Sequence, residues 1–484
     1  MKPGIVLARL NRLRLPSWRV SVVLVLAFFG FGLLLGNAAG SRVQYSAAAA
    51  RGPVKLVLPA ASAAAPSGAL GAEEAEAAVE PPAALEEPTP EAATPEPAAS
   101  APTATPRQGG STQTGEGGAQ DKHGGSSPGP AAAASKLPPV KHVFVVMLSG
   151  EPYASVFGPE SKAPYLARTL EQRGELLVRY YAVAHQQLAN GIALLSGQGP
   201  TPATAANCPT YTALAPATIG KDEQVGGEGC VYPPTTATLP GQLEVKRLTW
   251  RAYVQGTDEA GAGAPACTHP ALGQPDPTSA PASTSPYATF RNPFVYFEGL
   301  SASPSCAADD AGFGALSADL ASAKRTPSLS YIVPDRCHDA SPGPCPGGGP
   351  GGLPAADEML HELVPKILAS PAYKQGGLLV ITVDNAPASG EFADSSSCCA
   401  QPAFPNMPAP SGPAAALGPE GGGQVGALLL SPLVKGKSTS QEPYNHFSLL
   451  RTIEDLFGLK HIGYAGAAKV QSFEPSLFAA KPSG

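Results

Sequence analysis

Four apolar runs of strand length stand out along the chain, at 142–148, 329–333, 378–383 and 425–430. Each is apolar on both faces, as expected of central strands in a parallel sheet. Helical spacing lies between them. Tyr165, Leu166 and Leu170 fit one helix, and Met359, Leu360, Leu363, Val364, Ile367 and Leu368 fit another, with a kink expected at Pro365. Alternating strands and helices predict an α/β domain with helices on both sheet faces. Near the end, apolar residues at 449, 450, 453, 456 and 457 form one helical stripe. Asn445 is placed to cap this helix and Gly458 to stop it. His446 therefore stands at a helix N-terminus, where free N–H groups and the dipole favour an anion.

Upstream the pattern changes twice. Residues 20–36 carry no charge, and Lys2, Arg9, Arg12, Arg14 and Arg19 precede them. This predicts a basic cytoplasmic tail over 1–19 and a transmembrane signal anchor over 20–39, with everything after it outside. A cleaved signal peptide, which would leave a secreted protein, is the competing reading. Residues 40–139 are rich in Ala, Pro and Glu and hold no aromatic side chain beyond Tyr45. Such a stretch cannot bury enough apolar surface to fold, and it reads as a disordered stalk. The folded part is expected over 140–478, with a Pro-, Thr-, Gly- and Ala-rich insertion at about 199–290.

Composition narrows the classes. Charged residues make up 14% of the chain and the net charge is −6, with no basic patch, so nucleic acid is not an expected partner. All eight cysteines follow residue 207, which suits disulfides in an exported domain. Cys208 with Cys230 and Cys337 with Cys345 are local candidates. Adjacent Cys398 and Cys399 are expected to bond to different partners. No Cys-x-x-Cys pair argues for a zinc ribbon.

Ligands of an open α/β sheet bind beyond the carboxyl ends of its strands. Polar groups gather at those positions: Ser149 and Glu151 after the first run, Asp335 to Asp339 after the second, and Asp384 with Asn385 after the third. Gln187 and Asn190 follow Tyr180 and Tyr181. Together with the His446 helix they predict one shared cleft.

Residues 442–458 read EPYNHFSLLRTIEDLFG. This string resembles the closing motif of the phosphoesterase family, which contains bacterial phospholipases C and acid phosphatases and belongs to the alkaline phosphatase superfamily. The resemblance extends over about 140–475. It implies a three-layer α/β sandwich around a mostly parallel sheet, and hydrolysis of phosphate mono- or diesters with a divalent metal (Zn, Mn or Ca). The family's Glu-Asn pair after the first strand falls on Ser149 and Gly150, and Glu151 is the nearby substitute for a metal-binding carboxylate. The family's His-Pro-Ser-x-Pro-Asn falls on residues 185–190. Gln187 thus takes the nucleophile position and Asn190 matches.

The Asn-Asp-x-His set falls on His338, Asp339, Ala340 and Ser341. Asp339 matches, Ser341 replaces the histidine, and His338 is the neighbouring alternative. In Lys-His-Asn-Pro-Phe, Arg291 replaces the histidine and would attract phosphate. The late Asp-Glu pair is Asp384-Asn385, and His446 matches. The implied roles are catalytic for His446, Asp339, Asn190 and Ser149 (the serine placed to stand in as nucleophile). They are phosphate-binding for Arg291 and His338, and metal-binding for Asp384, Asn385 and Glu151.

An amide at 187 cannot form the phosphoryl-enzyme that a hydroxyl forms. Two functions are therefore carried forward. One is a membrane-anchored, extracytoplasmic phosphoesterase acting on a phosphate-ester or anionic envelope ligand. The other is a catalytically degenerate relative that binds an envelope ligand or protein.

Overall fold

The computed structural model describes residues 137–257, 265–280, 283–409 and 420–478. The expected tail, anchor and almost all of the stalk lie outside those residues. Among the described residues no helix is long and apolar enough to cross a membrane.

The main sheet has eight strands, numbered in chain order: β1 Val143–Leu148, β2 Glu175–Leu177, β3 Trp250–Val254, β4 Asp310–Gly312, β5 Leu329–Val333, β6 Leu378–Val383, β7 Ala427–Leu430 and β8 Ser438–Ser440. Their spatial order is β8-β2-β7-β6-β1-β5-β3-β4. β1 lies near the middle and pairs in parallel with β5 and β6, Val143 meeting Leu329 on one side and Leu378 on the other. Every residue of β1, β5 and β6 is buried. Burying each Val, Leu or Ile contributes roughly 1.5–3 kcal/mol, so these three strands anchor the fold.

Only β7 runs against the rest, antiparallel to both β6 and β2. The expectation of a parallel strand at 425–430 is corrected here. Parallel neighbours need a long crossover, usually helical. Among the described residues between β6 and β7 there is no helix, so the chain returns antiparallel.

The stretch read as an insertion is also corrected, because β3 lies inside it. Arg251 hides this strand from a search for apolar runs. Its guanidinium sits 2.5 Å from Asp319, which also accepts from the Tyr253 hydroxyl at 2.9 Å.

Three helices shape the rim and its support: α1 Gln187–Ser196, α2 Gly352–Ala369 and α3 His446–Phe457. α2 carries Pro365 inside a single helix. Its Asp357 carboxylate accepts from the backbone N–H groups of Tyr165 and Leu166, and so fixes the short π-helical segment Tyr165–Leu170. In α3 the Asn445 side chain accepts from Ser448 N–H at 3.0 Å, and Gly458 closes the helix at φ 62°.

The disulfides are Cys208–Cys230, Cys267–Cys306, Cys337–Cys345 and Cys398–Cys399. The last corrects the expectation of separate partners. The backbone turns sharply there, Cys399 and Ala400 both taking positive φ, and this brings neighbouring sulfurs together.

Candidate functional site

The parallel strands bring the ends of β1, β5 and β6 to one rim. Ser149 follows β1, Asp339 lies in the loop after β5, and Asp384 follows β6. Ser149 N–H donates to the Asp339 carbonyl at 2.6 Å, and Asp384 N–H donates to the Leu148 carbonyl at 2.9 Å. The backbone alone therefore fixes these three residues side by side.

Arg291 enters from a short 3₁₀ turn, Thr289–Arg291. Its side chain is 3% exposed and its Nη1 lies 2.5 Å from Asp339 Oδ2. Nη2 reaches the Met147 carbonyl at 3.4 Å. Burial pushes the Asp384 carboxyl up to about 7, against the opposing pull of Arg291 and Ser149 on its charged form, and the nearby Asp339 adds to the rise. Burial also raises Asp339, again opposed by Arg291. One guanidinium thus pairs with Asp339 and favours the charged form of Asp384, with all three side chains buried.

Gln187 opens α1 and is bonded at both ends of its amide. Nε2 donates to Ser149 Oγ at 3.1 Å, and Oε1 accepts from Asn207 Nδ2 at 2.6 Å. Asn190, one turn on, is saturated. Its oxygen accepts from Val183 and Ala184 N–H, and its nitrogen donates to the Ala184 and Gln186 carbonyls. It holds the loop entering α1 and has no bond left for a ligand.

His446 is fully buried. A carbonyl can only accept, so Nε2 carries the proton and donates to the Asp384 carbonyl at 3.0 Å. Nδ1 then accepts from the Tyr180 hydroxyl at 3.0 Å. Burial pushes the ring down to about 4, which keeps it neutral. Both nitrogens are used, and the histidine pins α3 to the end of β6. Tyr180 was missed by sequence reasoning. Its place is set by Tyr180–Tyr181 pairing with Tyr444–Asn445, a two-residue contact that no apolar pattern announces.

The remaining candidates separate. Asn385 is buried beside Asp384, donates to the Ala386 carbonyl, and leaves its own oxygen without a partner. His338 turns to a different cleft, of about 580 Å³, lined by Gln255, Ser317, Glu358, Glu362 and Lys366. Asp335, to which the motifs assign no role, orients it at 2.7 Å. Glu151 lines a third space, a cleft of about 520 Å³ with Lys162, Glu160, Pro342, Pro387 and Phe392. The structure therefore joins Ser149, Gln187, Arg291, Asp339, Asp384, Asn385 and His446, and it leaves Glu151 and His338 apart.

A divalent ion needs several oxygen or imidazole ligands around an open point. The joined residues do not fit one. His446 has no nitrogen to offer, Asn190 has no oxygen, and a permanent cation stands against Asp339. The one cluster of metal-ligating side chains among the described residues is Cys267, Cys306 and Asp310, and those two cysteines are bonded to each other. Of nucleophilic groups at the rim, Ser149 is fully buried.

Comparison with solved structures gives distant likenesses. A protein in the alkaline phosphatase superfamily from Vibrio parahaemolyticus is 12% identical over 67% of this chain and 68% of its own, at TM-score 0.36. A putative sulfatase from Bacteroides thetaiotaomicron is 12% identical over 71% and 76%, at TM-score 0.40. The lipoteichoic acid synthase LtaP from Listeria monocytogenes is 11% identical over 70% and 76%, at TM-score 0.35. A comparison with curated proteins gives no match. The model of the phosphoesterase family matches residues 141–460, well over half of the chain, and the chain belongs to that family.

Proposed function

We propose that this chain is a phosphoesterase-family protein that has given up ester hydrolysis and works as a binding module outside the cell membrane, tethered through residues 20–39. The family relationship supports a phosphate- or sulfate-ester hydrolase-like ancestry. One observation carries the loss of turnover: the position of the family nucleophile is Gln187, and its amide is locked between Ser149 and Asn207. An amide does not form the phosphoryl-enzyme that a hydroxyl forms, and this one is held at both ends. The ligand surface in this reading is the cleft at the same rim, with Glu151, Lys162 and the 56% exposed Phe392. Its lining carries two acids and one base, so it suits an envelope ligand or protein with apolar character better than a free phosphate.

The test is turnover of p-nitrophenyl phosphate, its bis ester and the sulfate by purified full-length protein, with Zn²⁺, Mn²⁺ or Ca²⁺ added. The expected result is a rate equal to that of buffer.

A second reading has one observation in its favour. Ser149 stabilises the charged form of Asp384, so a hydroxyl and a carboxylate adjoin at the rim. In a residual esterase Asp384 would take the proton as Ser149 attacks. Turnover that Ser149→Ala abolishes would establish this reading and overturn the first.

A further inference from the structure

We infer that the guanidinium of Arg291 is the resident cation of this centre, standing in place of a divalent ion against Asp339 and near Asp384.

Three observations converge. First, the position of the charge: Arg291 lies in ionic contact with Asp339 and acts on Asp384, the two carboxylates that the joined residues contain. Second, the confinement: the side chain is 3% exposed and also reaches the end of β1 through the Met147 carbonyl. The next residue, Asn292, is buried and donates to Asp310 at 2.7 Å, so the segment carrying Arg291 cannot swing the guanidinium into solvent. Third, the leftover valences: Asp384 Oδ1, Asn385 Oδ1 and Arg291 Nε are buried without partners. Asp384 Oδ1 thus has no directed donor, and the nearby guanidinium is the positive charge that favours its ionised form.

Arginine does not lose its proton at any pH a protein survives. A divalent ion entering here would meet that charge permanently, in a medium that screens it weakly. The centre is therefore closed to metal by one residue, the position where the family motif has histidine. This role of Arg291 is independent of turnover, because Gln187 alone would abolish a phosphoryl-enzyme, and its readouts are metal content and melting temperature.

The experiment compares purified wild type with Arg291→His and Arg291→Lys, each dialysed against EDTA and then melted with and without added Zn²⁺, Mn²⁺ or Ca²⁺. Metal is counted by mass spectrometry. Wild type is expected to hold substoichiometric metal, with a Tm that neither EDTA nor any of the three ions moves. Arg291→Lys keeps the charge and stays indifferent to metal. Arg291→His loses about 10 °C in EDTA and regains part of it with Zn²⁺ or Mn²⁺. Stoichiometric metal in wild type, a wild-type Tm lowered by EDTA, or metal uptake by Arg291→Lys overturns the inference. So does a cooperatively melting Arg291→His chain that ignores all three ions. Should Arg291→His not fold, the wild-type and Arg291→Lys results decide on their own.

Discussion

Two neighbouring regions of the rim have opposite characters. The centre around Arg291 is buried and built from the positions that align with the family's motifs. The cleft beginning at Glu151, two residues from Ser149, is open and built largely from proline, glycine and Phe392. The first has the polar groups of a catalytic site without access. The second has access without the groups. Asn190 and His446, two positions that match the motifs, also hold the fold together through the polar atoms of their side chains.

The sharpest way to break that contrast is Arg291→Ala. It leaves two buried carboxylates unpaired and should cost about 3–5 kcal/mol in urea unfolding. Phe392→Ser, in the open cleft, should stay within about 0.5 kcal/mol. Equal losses at both places would erase the distinction.

Next in size is a pH effect. His446 titrates at about 4 folded and 6.5 unfolded, so the unfolded chain binds the extra proton between those values. The stability it contributes is fully present above pH 6.5 and is lost as pH falls through 4, up to about 3 kcal/mol. Asp384 has the opposite sign. Its carboxyl titrates at about 7 folded against 3.8 unfolded, so its contribution is full below 3.8 and is lost as pH rises through 7. The two slopes nearly cancel between pH 4 and 6.5, so the joint contribution of these groups to urea unfolding should be almost flat there and should fall from pH 6.5 through 7. His446→Gln should leave the Asp384 slope uncompensated, so that stability falls with rising pH from about 4 onward, and an unchanged acid side would refute the neutral buried ring.

A smaller change tests the helix that carries the histidine. Asn445→Ala removes the cap on Ser448 N–H and should lower stability by about 1 kcal/mol. The smallest expected effect is on activity. Gln187→Ser restores a hydroxyl at the family position and should still give no phosphatase turnover, because the cation and ligand set around it are wrong. Turnover well above buffer from that single change would show that the centre is one substitution from working.

Much of this was legible in the sequence. The runs that became β1, β5 and β6 are apolar at nearly every position, and a central strand suits them best. The cap and stop of α3 were readable because Asn445 and Gly458 act within one turn of the chain. β3 was not, because Arg251 breaks the apolar pattern and its compensating Asp319 lies far along the sequence. The direction of β7 was hidden for another reason: a strand buried on both faces has no feature that records which way it runs. At the site, motif alignment placed Asp339, Asp384 and Arg291 together. It did not show that Tyr180 and the Asp384 carbonyl occupy both nitrogens of His446, since those partners are set by long-range register.

The reversed direction of β7 has one more consequence. The chain leaves the sheet at Val383 and rejoins it at Ala427 on the same rim, so the connection between them starts and ends beside the centre. Both ends of that connection are tied down: Asp384 and Asn385 open it at the centre, and Gly422 closes it by accepting from Ala386 N–H and donating to the Ala182 carbonyl. A substitution in either tie therefore reaches the sheet and the mouth of the rim at once, as one mortise shared by two joints.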